Sequence, residues 1–141
     1  MSREAAEAVV RRYFAEVIDG RGEDLSAVFT EDCVVHRRDL PEPIAGREQL
    51  ERFLLVSRFT LAGTETVIDD LLADEDRVAV RVRHRVTVAG VLQTPFGRVD
   101  AAGRTVTWHA MAWFRVRDGR IAEEWVVRDE VAIFDQLGVL P

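Results

Sequence analysis

Asp129 is the residue whose sequence surroundings most favour acid–base chemistry. It ends a strand-like segment, 120–130, in which alternate residues share a face with it, namely Ile121, Glu123, Trp125 and Val127. A carboxyl group held among large apolar side chains is poorly hydrated, so its pKa rises toward the range in which it can accept and donate a proton. The alternative is that Asp129 caps a following helix, because aspartate is a preferred N-cap residue.

His84 is the second candidate for proton transfer. It lies in a segment whose other residues on the same face are all valines, namely Val78, Val80, Val82, Val86 and Val88. The imidazole is therefore predicted to point to the buried side of a strand, where its pKa near neutrality suits proton exchange. The alternative is a core histidine bonded to a backbone carbonyl.

Several aromatic residues could line a binding site. Tyr13 and Phe14 lie on the apolar stripe of a predicted first helix, and the Tyr13 hydroxyl could reach a substrate oxygen. Trp108 lies on the predicted core face of a later strand, and Trp125 shares a face with Asp129. Each of them could equally be part of the core. Asp39, before Leu40-Pro41, is predicted to be a loop residue.

The elements that position these residues are helices first and strands later. A helix is predicted from Ser2 to about Asp19, a short helix over 24–29, a brief strand over 33–37 and a second long helix from Gly46. From Thr64 the hydrophobic period changes to two. Strands are predicted over 64–73, 77–90, 103–117 and 120–130, with a hairpin turn at Asp118-Gly119 and a final helical turn over 131–137. This order predicts an α+β fold of one domain, 1–141, in which a curved sheet wraps around helices and leaves a pocket at its concave face.

Composition excludes several classes of function. The chain has 141 residues, with 19 basic and 25 acidic residues and a net charge of −6, which argues against a nucleic-acid or anionic-membrane surface. Cys33 is the only cysteine, which indicates a cytoplasmic protein without disulfides. No apolar run reaches the ~18 residues of a membrane span. Phosphate-binding loops, nucleophile elbows and zinc motifs are missing, so we expect no cofactor and no metal.

Four segments carry a family resemblance. They are Thr30-Glu31-Asp32-Cys33-Val34-Val35-His36, Gly46-Arg47-Glu48-Gln49-Leu50, the run from Arg115 to Trp125, and Gln136-Leu137-Gly138. In this order they resemble the SnoaL-like polyketide cyclases of the nuclear-transport-factor-2-like superfamily. The resemblance implies a cone-shaped α+β fold with a curved mixed or antiparallel sheet wrapped around N-terminal helices. It also implies intramolecular aldol closure by an acid–base aspartate on the last strand, where Asp129 falls, aided by pocket histidines.

The resemblance adds two histidines to the candidate site. It implies that His36 lies at a polar pocket position, whereas its neighbours Arg37 and Arg38 favour a surface strand end. It also points His109 into the pocket, but plain alternation places His109 on the outer face of the sheet with Met111 and Trp113. A β-bulge could reconcile the two placements. An apolar outer face of this kind predicts a homodimer.

The resulting hypothesis is a cofactor-free cyclase or isomerase that acts on a small apolar, oxygenated ring compound. The predicted catalytic residues are Asp129, His84, His109 and His36, and the predicted substrate-binding residues are Tyr13, Phe14, Trp108 and Trp125. Epoxide hydrolysis or dehydration on the same fold is an enzymatic alternative. A dimeric module that binds a small ligand without turnover is the alternative from a different class.

Overall fold

The chain begins with a helix whose apolar side faces the sheet. The structure, a computed structural model, describes residues 2–20, 22 and 24–141. Helix α1 (Arg3–Arg12) starts at Ser2, whose hydroxyl accepts a hydrogen bond from the Ala5 N–H at 3.1 Å. It continues into a π-helical segment, Tyr13–Asp19. The first helix therefore extends as far as predicted, but its second half has the wider π geometry, which is often found at functional sites.

The remaining elements follow in the predicted order. A 3₁₀ turn (Leu25–Ala27) leads to β1 (Phe29–Arg37), β2 (Ile44–Ala45) and helix α2 (Arg47–Thr60). The strand region then contains β3 (Leu61–Ala73), β4 (Arg77–Val88), β5 (Val91–Thr94), β6 (Gly97–Asp100), β7 (Thr105–Arg117) and β8 (Arg120–Arg128). Helix α3 (Glu130–Leu137) follows, and Gly138 ends it in the left-handed conformation, with φ of 74°.

One large mixed sheet positions the site. Its strand order is β2-β1-β8-β7-β4-β3, with β1 and β8 parallel and the other neighbours antiparallel. The helices pack on its concave side, so the predicted α+β fold with a curved mixed sheet wrapped around N-terminal helices is confirmed. The separate hairpin of β5 and β6 was not predicted as strands.

The core lies between the sheet and the first helix. The concave faces of β4 and β7 supply buried side chains at alternate positions, including Val78, Val80 and Val82 of β4 and Ala110, Ala112 and Phe114 of β7. Tyr13, Phe14 and Val17 of the π-helical segment pack against them. A second cluster of buried residues joins the ends of β4 and β7 to α3 through Val88, Val106, Ile133 and Leu137.

Candidate active site in the cone

A cavity of about 360 Å³ opens between the concave face of the sheet and the helices. Its walls come from the π-helical segment, α2, α3 and strands β1, β2, β3, β4, β5, β7 and β8. The volume is in the lower part of the ~300–1,000 Å³ range of small-molecule pockets. Most lining residues are apolar, and the charged or titratable ones are Tyr13, Arg37, Asp39, Arg58, His84, Glu124 and Arg128. This is the composition expected of a site that holds an apolar molecule by a few polar groups.

A β-bulge decides which carboxylate of β8 enters the cavity. On β7 and β8, Val116 pairs with Ile121 but Arg115 pairs with Glu123, so Ala122 is an extra residue on β8. Beyond the bulge, Glu124 lies opposite Phe114, a residue of the core face, and directly opposite residues share a face. Glu124 therefore points into the cone.

Glu124 is the most perturbed carboxyl group of the cavity. It is only 3% exposed, and its Oε1 accepts a hydrogen bond from the Tyr13 hydroxyl at 3.3 Å. Burial raises the pKa of Glu124 to about 7, although the Arg37 charge and the Tyr13 hydrogen bond act in the opposite direction. Burial and the neighbouring Glu124 raise the pKa of Tyr13 well above its usual range. The pair therefore combines a hydroxyl that stays protonated with a carboxyl that can gain or lose a proton near neutrality.

His84 lines another part of the same cavity. Its ring lies between Phe14 and Trp108, with centroid distances of 6.2 Å and 5.5 Å. Its Nδ1 is 2.8 Å from the Thr66 hydroxyl, which in turn is 2.7 Å from Asp19 Oδ1. Burial, together with the charges of Arg37 and Arg128, lowers the pKa of His84 to about 4. His84 is therefore a neutral imidazole at neutral pH.

An ion-pair cluster adjoins these groups. Arg37 donates two hydrogen bonds of 3.0 Å to the two oxygens of Asp39, and Arg128 lies 3.4 Å from Asp39 Oδ2. Burial opposes ionisation of Asp39, but the hydrogen bonds from Arg37 and the charges of Arg37 and Arg128 together outweigh burial and lower the pKa of Asp39. Arg128 also lies over the Trp108 ring, 5.9 Å from its centroid. Arg128 also contacts Glu130 Oε1 at 3.3 Å, so two guanidinium groups are paired with two carboxylates at the edge of the cavity.

Four of the residues predicted for the site do line the cavity. They are Tyr13, Phe14, His84 and Trp108. The alternation of β4 and β7 placed His84 and Trp108 correctly, because neither strand has an irregularity in the part of the ladder that holds them.

The predicted placement of Asp129 in an apolar pocket is wrong. Asp129 is exposed, lies outside the cavity and caps α3, where its Oδ1 accepts a hydrogen bond from the Ala132 N–H at 3.1 Å. The helix-cap alternative therefore describes its position. The physical reason is the bulge at Ala122, which shifts the alternation of β8 by one residue and turns the Asp129 face outward.

Trp125, which the same shift turns outward, and two predicted histidines lie outside the cavity. Trp125 stacks on His36 with ring centroids 5.1 Å apart and an angle of 9°, and His36 Nε2 lies 2.7 Å from Glu123. His109 is exposed on the outer face of β7, as alternation indicated and contrary to the placement that the resemblance implied. Trp125, His36 and His109 are therefore corrections to the predicted site.

Glu124, Arg37, Asp39 and Arg128 are lining residues that were not predicted. Arg37 and Asp39 could have been linked by their spacing of two, but nothing in the sequence indicates that they face a cavity. For Glu124 the sequence of β8 alone holds no signal, because Glu123-Glu124 and Val126-Val127 fit either alternation.

Among residues 2–20, 22 and 24–141, no group of three or more histidine, cysteine, aspartate or glutamate side chains is arranged to hold a metal ion. Within the same residues, none of the helices combines the length and apolar character needed to span a membrane.

Comparison with known proteins supports the fold and gives the family. AclR from Streptomyces galilaeus, a proposed hydroxylase, is similar with a TM-score of 0.81 and 21% identity over 99% of this chain and 100% of that chain. IdmH from Streptomyces antibioticus, a proposed polyketide cyclase, has a TM-score of 0.77 and 25% identity over 95% of this chain and 99% of that chain. An LEH-like epoxide hydrolase from M. tuberculosis has a TM-score of 0.74 and 19% identity over 96% of this chain and 90% of that chain. No curated protein matches the sequence. The family model for SnoaL-like polyketide cyclase matches residues 8–137, so the chain belongs to the SnoaL-like polyketide cyclase family.

Proposed function

We propose that the chain is an enzyme that moves a proton by acid–base catalysis within a small, apolar, ring-containing carbonyl compound. The observation that carries this proposal is Glu124, a buried carboxyl group in an apolar cavity with a pKa of about 7. Perturbed carboxyl groups of this kind cluster at catalytic sites. Membership of the SnoaL-like polyketide cyclase family supports the same chemistry, because closing a carbon ring by aldol addition begins with removal of a proton next to a carbonyl.

Glu124 is the group that carries the proton. As a carboxylate it removes a proton from the carbon next to the carbonyl, and the electron pair of that C–H bond moves into the enolate. As the resulting carboxylic acid it returns the proton to the enolate, or to the alkoxide formed when the enolate carbon adds to a second carbonyl. A pKa near the working pH makes both directions of transfer accessible.

Tyr13 and the arginine cluster support this transfer. The Tyr13 hydroxyl holds Glu124 Oε1 at 3.3 Å and fixes the orientation of the carboxyl group. Arg37 and Arg128 line the cavity and are held there by Asp39, so their guanidinium groups can stabilise the negative charge that develops on the enolate oxygen. We infer that truncating Arg37 slows proton removal more than it weakens binding.

Glu124 and His84 act on different parts of the ligand. Glu124 shares a cross-strand row with Phe114 and Val78, whereas His84 lies six residues further along β4, opposite Trp108. The Phe14 ring lies between the two regions, 6.1 Å from Phe114 and 6.2 Å from His84. A ligand that reaches both groups is therefore elongated, as two or three fused rings are.

The test measures hydrogen exchange without requiring the natural substrate. A hydroxytetralone, a two-ring ketone whose hydroxyl lies on the ring remote from the carbonyl, is incubated with the protein in D₂O, and NMR follows deuterium at the carbon next to the carbonyl. We expect wild-type protein to accelerate this exchange and Glu124→Gln to lose about 10² to 10⁴ of the acceleration. Saturable binding without exchange would favour the binding-module alternative and contradict the proposal.

A further inference from the structure

We propose that Asp19 and Thr66 hold His84 as the neutral tautomer with hydrogen on Nδ1, so that Nε2 presents a lone pair to the cavity and accepts a hydrogen bond from a ligand hydroxyl or enol. His84 is then a positioning and recognition residue, and Asp19 and Thr66 act through it. The inference rests on the proposed function for its ligand, but the tautomer is a property of the ligand-free protein.

Thr66 donates both of its polar hydrogens to Asp19. Its backbone N–H donates to Asp19 Oδ2 at 2.8 Å, and its hydroxyl donates to Asp19 Oδ1 at 2.7 Å. A carboxylate can only accept, and a hydroxyl has one hydrogen to donate. Because that hydrogen is directed to Asp19, the contact of 2.8 Å between Thr66 Oγ1 and His84 Nδ1 requires Nδ1 to be the donor. In a neutral imidazole the other nitrogen, Nε2, is then the acceptor.

The local structure holds Asp19 in place for this role. Asp19 is the last residue of the π-helical segment, and a Cβ on the next residue, Gly20, would lie 2.8 Å from the Ala15 carbonyl oxygen. The chain can therefore turn this closely against the helix only with glycine at that position. Thr66 lies opposite His84 on the neighbouring strand, so both partners share the concave face at one level.

The charges that face His84 favour its neutral form. Arg37 and Arg128 act on the imidazole from the cavity side, and burial acts in the same direction. Asp19 reaches the ring only through Thr66. Among the described residues, His84 Nε2 has no hydrogen-bond partner, and His84 lines the cavity between Phe14 and Trp108. The unpaired acceptor is thus suited to a ligand that brings a hydroxyl hydrogen, such as a phenol or an enol.

The first experiment determines the tautomer by long-range ¹H–¹⁵N correlation NMR of labelled, ligand-free protein at neutral pH. Loss of a signal set in His84→Gln assigns the ring. We expect hydrogen on Nδ1 and none on Nε2 in wild type. Asp19→Asn should invert the tautomer, because its amide can donate to Thr66 Oγ1 and release the Thr66 hydrogen to Nδ1. Thr66→Val should abolish the fixed tautomer, and Thr66→Ser should restore it.

Two results would overturn the tautomer assignment. One is hydrogen on Nε2, or a charged imidazolium, in wild-type protein at neutral pH. The other is an unchanged tautomer in both Asp19→Asn and Thr66→Val. Glu124→Gln should leave the tautomer unchanged, so a failure of the proton-transfer proposal and a failure of this one give different results.

The second experiment tests the ligand class with the hydroxytetralone and its methyl ether, which lacks the hydroxyl hydrogen. We expect wild type to bind the hydroxyl compound about 3- to 10-fold more tightly, the value of one hydrogen bond. Asp19→Asn should lose this preference, because Nε2 then carries the hydrogen and can donate it to the hydroxyl oxygen or to the ether oxygen equally well. Equal affinities in wild type, or no binding of the hydroxyl compound, would overturn the ligand assignment.

Discussion

Replacing Glu124 with glutamine should stabilise the protein while removing its proton-transfer group. Glutamine has the shape of glutamate, and its Oε1 can still accept the hydrogen bond from Tyr13. What disappears is the free energy of ionising a carboxyl group that is 3% exposed. The variant therefore separates the requirement for the carboxyl group in catalysis from its effect on stability.

The size and sign of the stability effect follow from the pKa of Glu124. Burial raises this pKa from its ordinary value of 4.5 to about 7. The folded state then holds the proton more tightly than the unfolded state, so the free energy of unfolding falls as pH rises through this window. At about 1.4 kcal/mol per pKa unit, ionisation of Glu124 lowers the free energy of unfolding by about 3 kcal/mol between the two pKa values. At pH values below the ordinary pKa of Glu124 this loss of stability is absent, and at pH values above its raised pKa the loss is complete.

The assay is urea unfolding of both proteins at several pH values, at one protein concentration. The curves of wild type and Glu124→Gln should lie closest at about pH 4 and diverge until about pH 8. There the urea midpoint of the variant should be higher by about 1 to 3 M, given slopes of about 1–3 kcal/mol/M. The titration of His84 is common to both proteins and cancels in their difference.

Glu123→Gln is the matched control. Glu123 is the adjacent residue, but its side chain contacts His36 outside the cavity. This variant should keep the wild-type pH dependence of stability, and it should keep hydrogen exchange on hydroxytetralone. Parallel pH curves for wild type and Glu124→Gln would refute the reasoning, because they would show that Glu124 ionises in the folded protein as easily as in water.

Three further predictions concern other residues. Asp129→Asn should keep both hydrogen exchange and stability, because asparagine is also a good helix cap. Asp129→Ala should lower the urea-derived free energy of unfolding by about 1 kcal/mol. A hundredfold loss of exchange in Asp129→Asn would contradict the cap assignment. The pKa of His84, lowered to about 4, predicts a contribution to stability that is lost as pH drops from about 6.5 to about 4, opposite in sign to the Glu124 contribution in that range. The melting temperature of wild type relative to that of His84→Gln should therefore fall over this pH range, and a difference that does not change with pH would argue against a neutral buried ring. Trp113 is 47% exposed on the outer sheet face, so we expect light scattering to show a homodimer. Trp113→Glu should convert this dimer to a monomer, whereas Phe59→Glu, on α2, should leave it intact. A wild-type monomer at micromolar concentration would exclude this interface.

The outer face that motivates the dimer prediction extends over neighbouring strands. Trp113 of β7 lies opposite Trp125 of β8, which stacks on His36 of β1. Met111, 62% exposed, and Val127, 58% exposed, form the next cross-strand pair. Large apolar side chains in adjacent rows are unusual on the surface of a monomer, because contact between apolar surface and water is unfavourable.

Alternation predicted the long strands well because one of their faces is buried. On β4 the valines at even positions are buried and the arginines at odd positions are exposed, so the period of two is unambiguous. The β5–β6 hairpin was missed because its strands have only four residues each and Pro95 lies between them. The π-helical geometry of residues 13–19 also has no signal in the hydrophobic pattern, since an α-helix would bury the same stripe.

The site was harder to predict because β8 carries pairs of similar residues. Ile121-Ala122, Glu123-Glu124 and Val126-Val127 give two alternations that are equally consistent with one buried face. A single extra residue at Ala122 selects between them, and it moves Asp129 from the predicted pocket to the cap of α3 while it moves Glu124 into the cone. The pairing partner resolves what the strand alone cannot: β7 alternates cleanly, and Phe114 on its buried face lies opposite Glu124. Register against the better-patterned strand is therefore the step by which a carboxylate on a bulged strand should be assigned to a cavity.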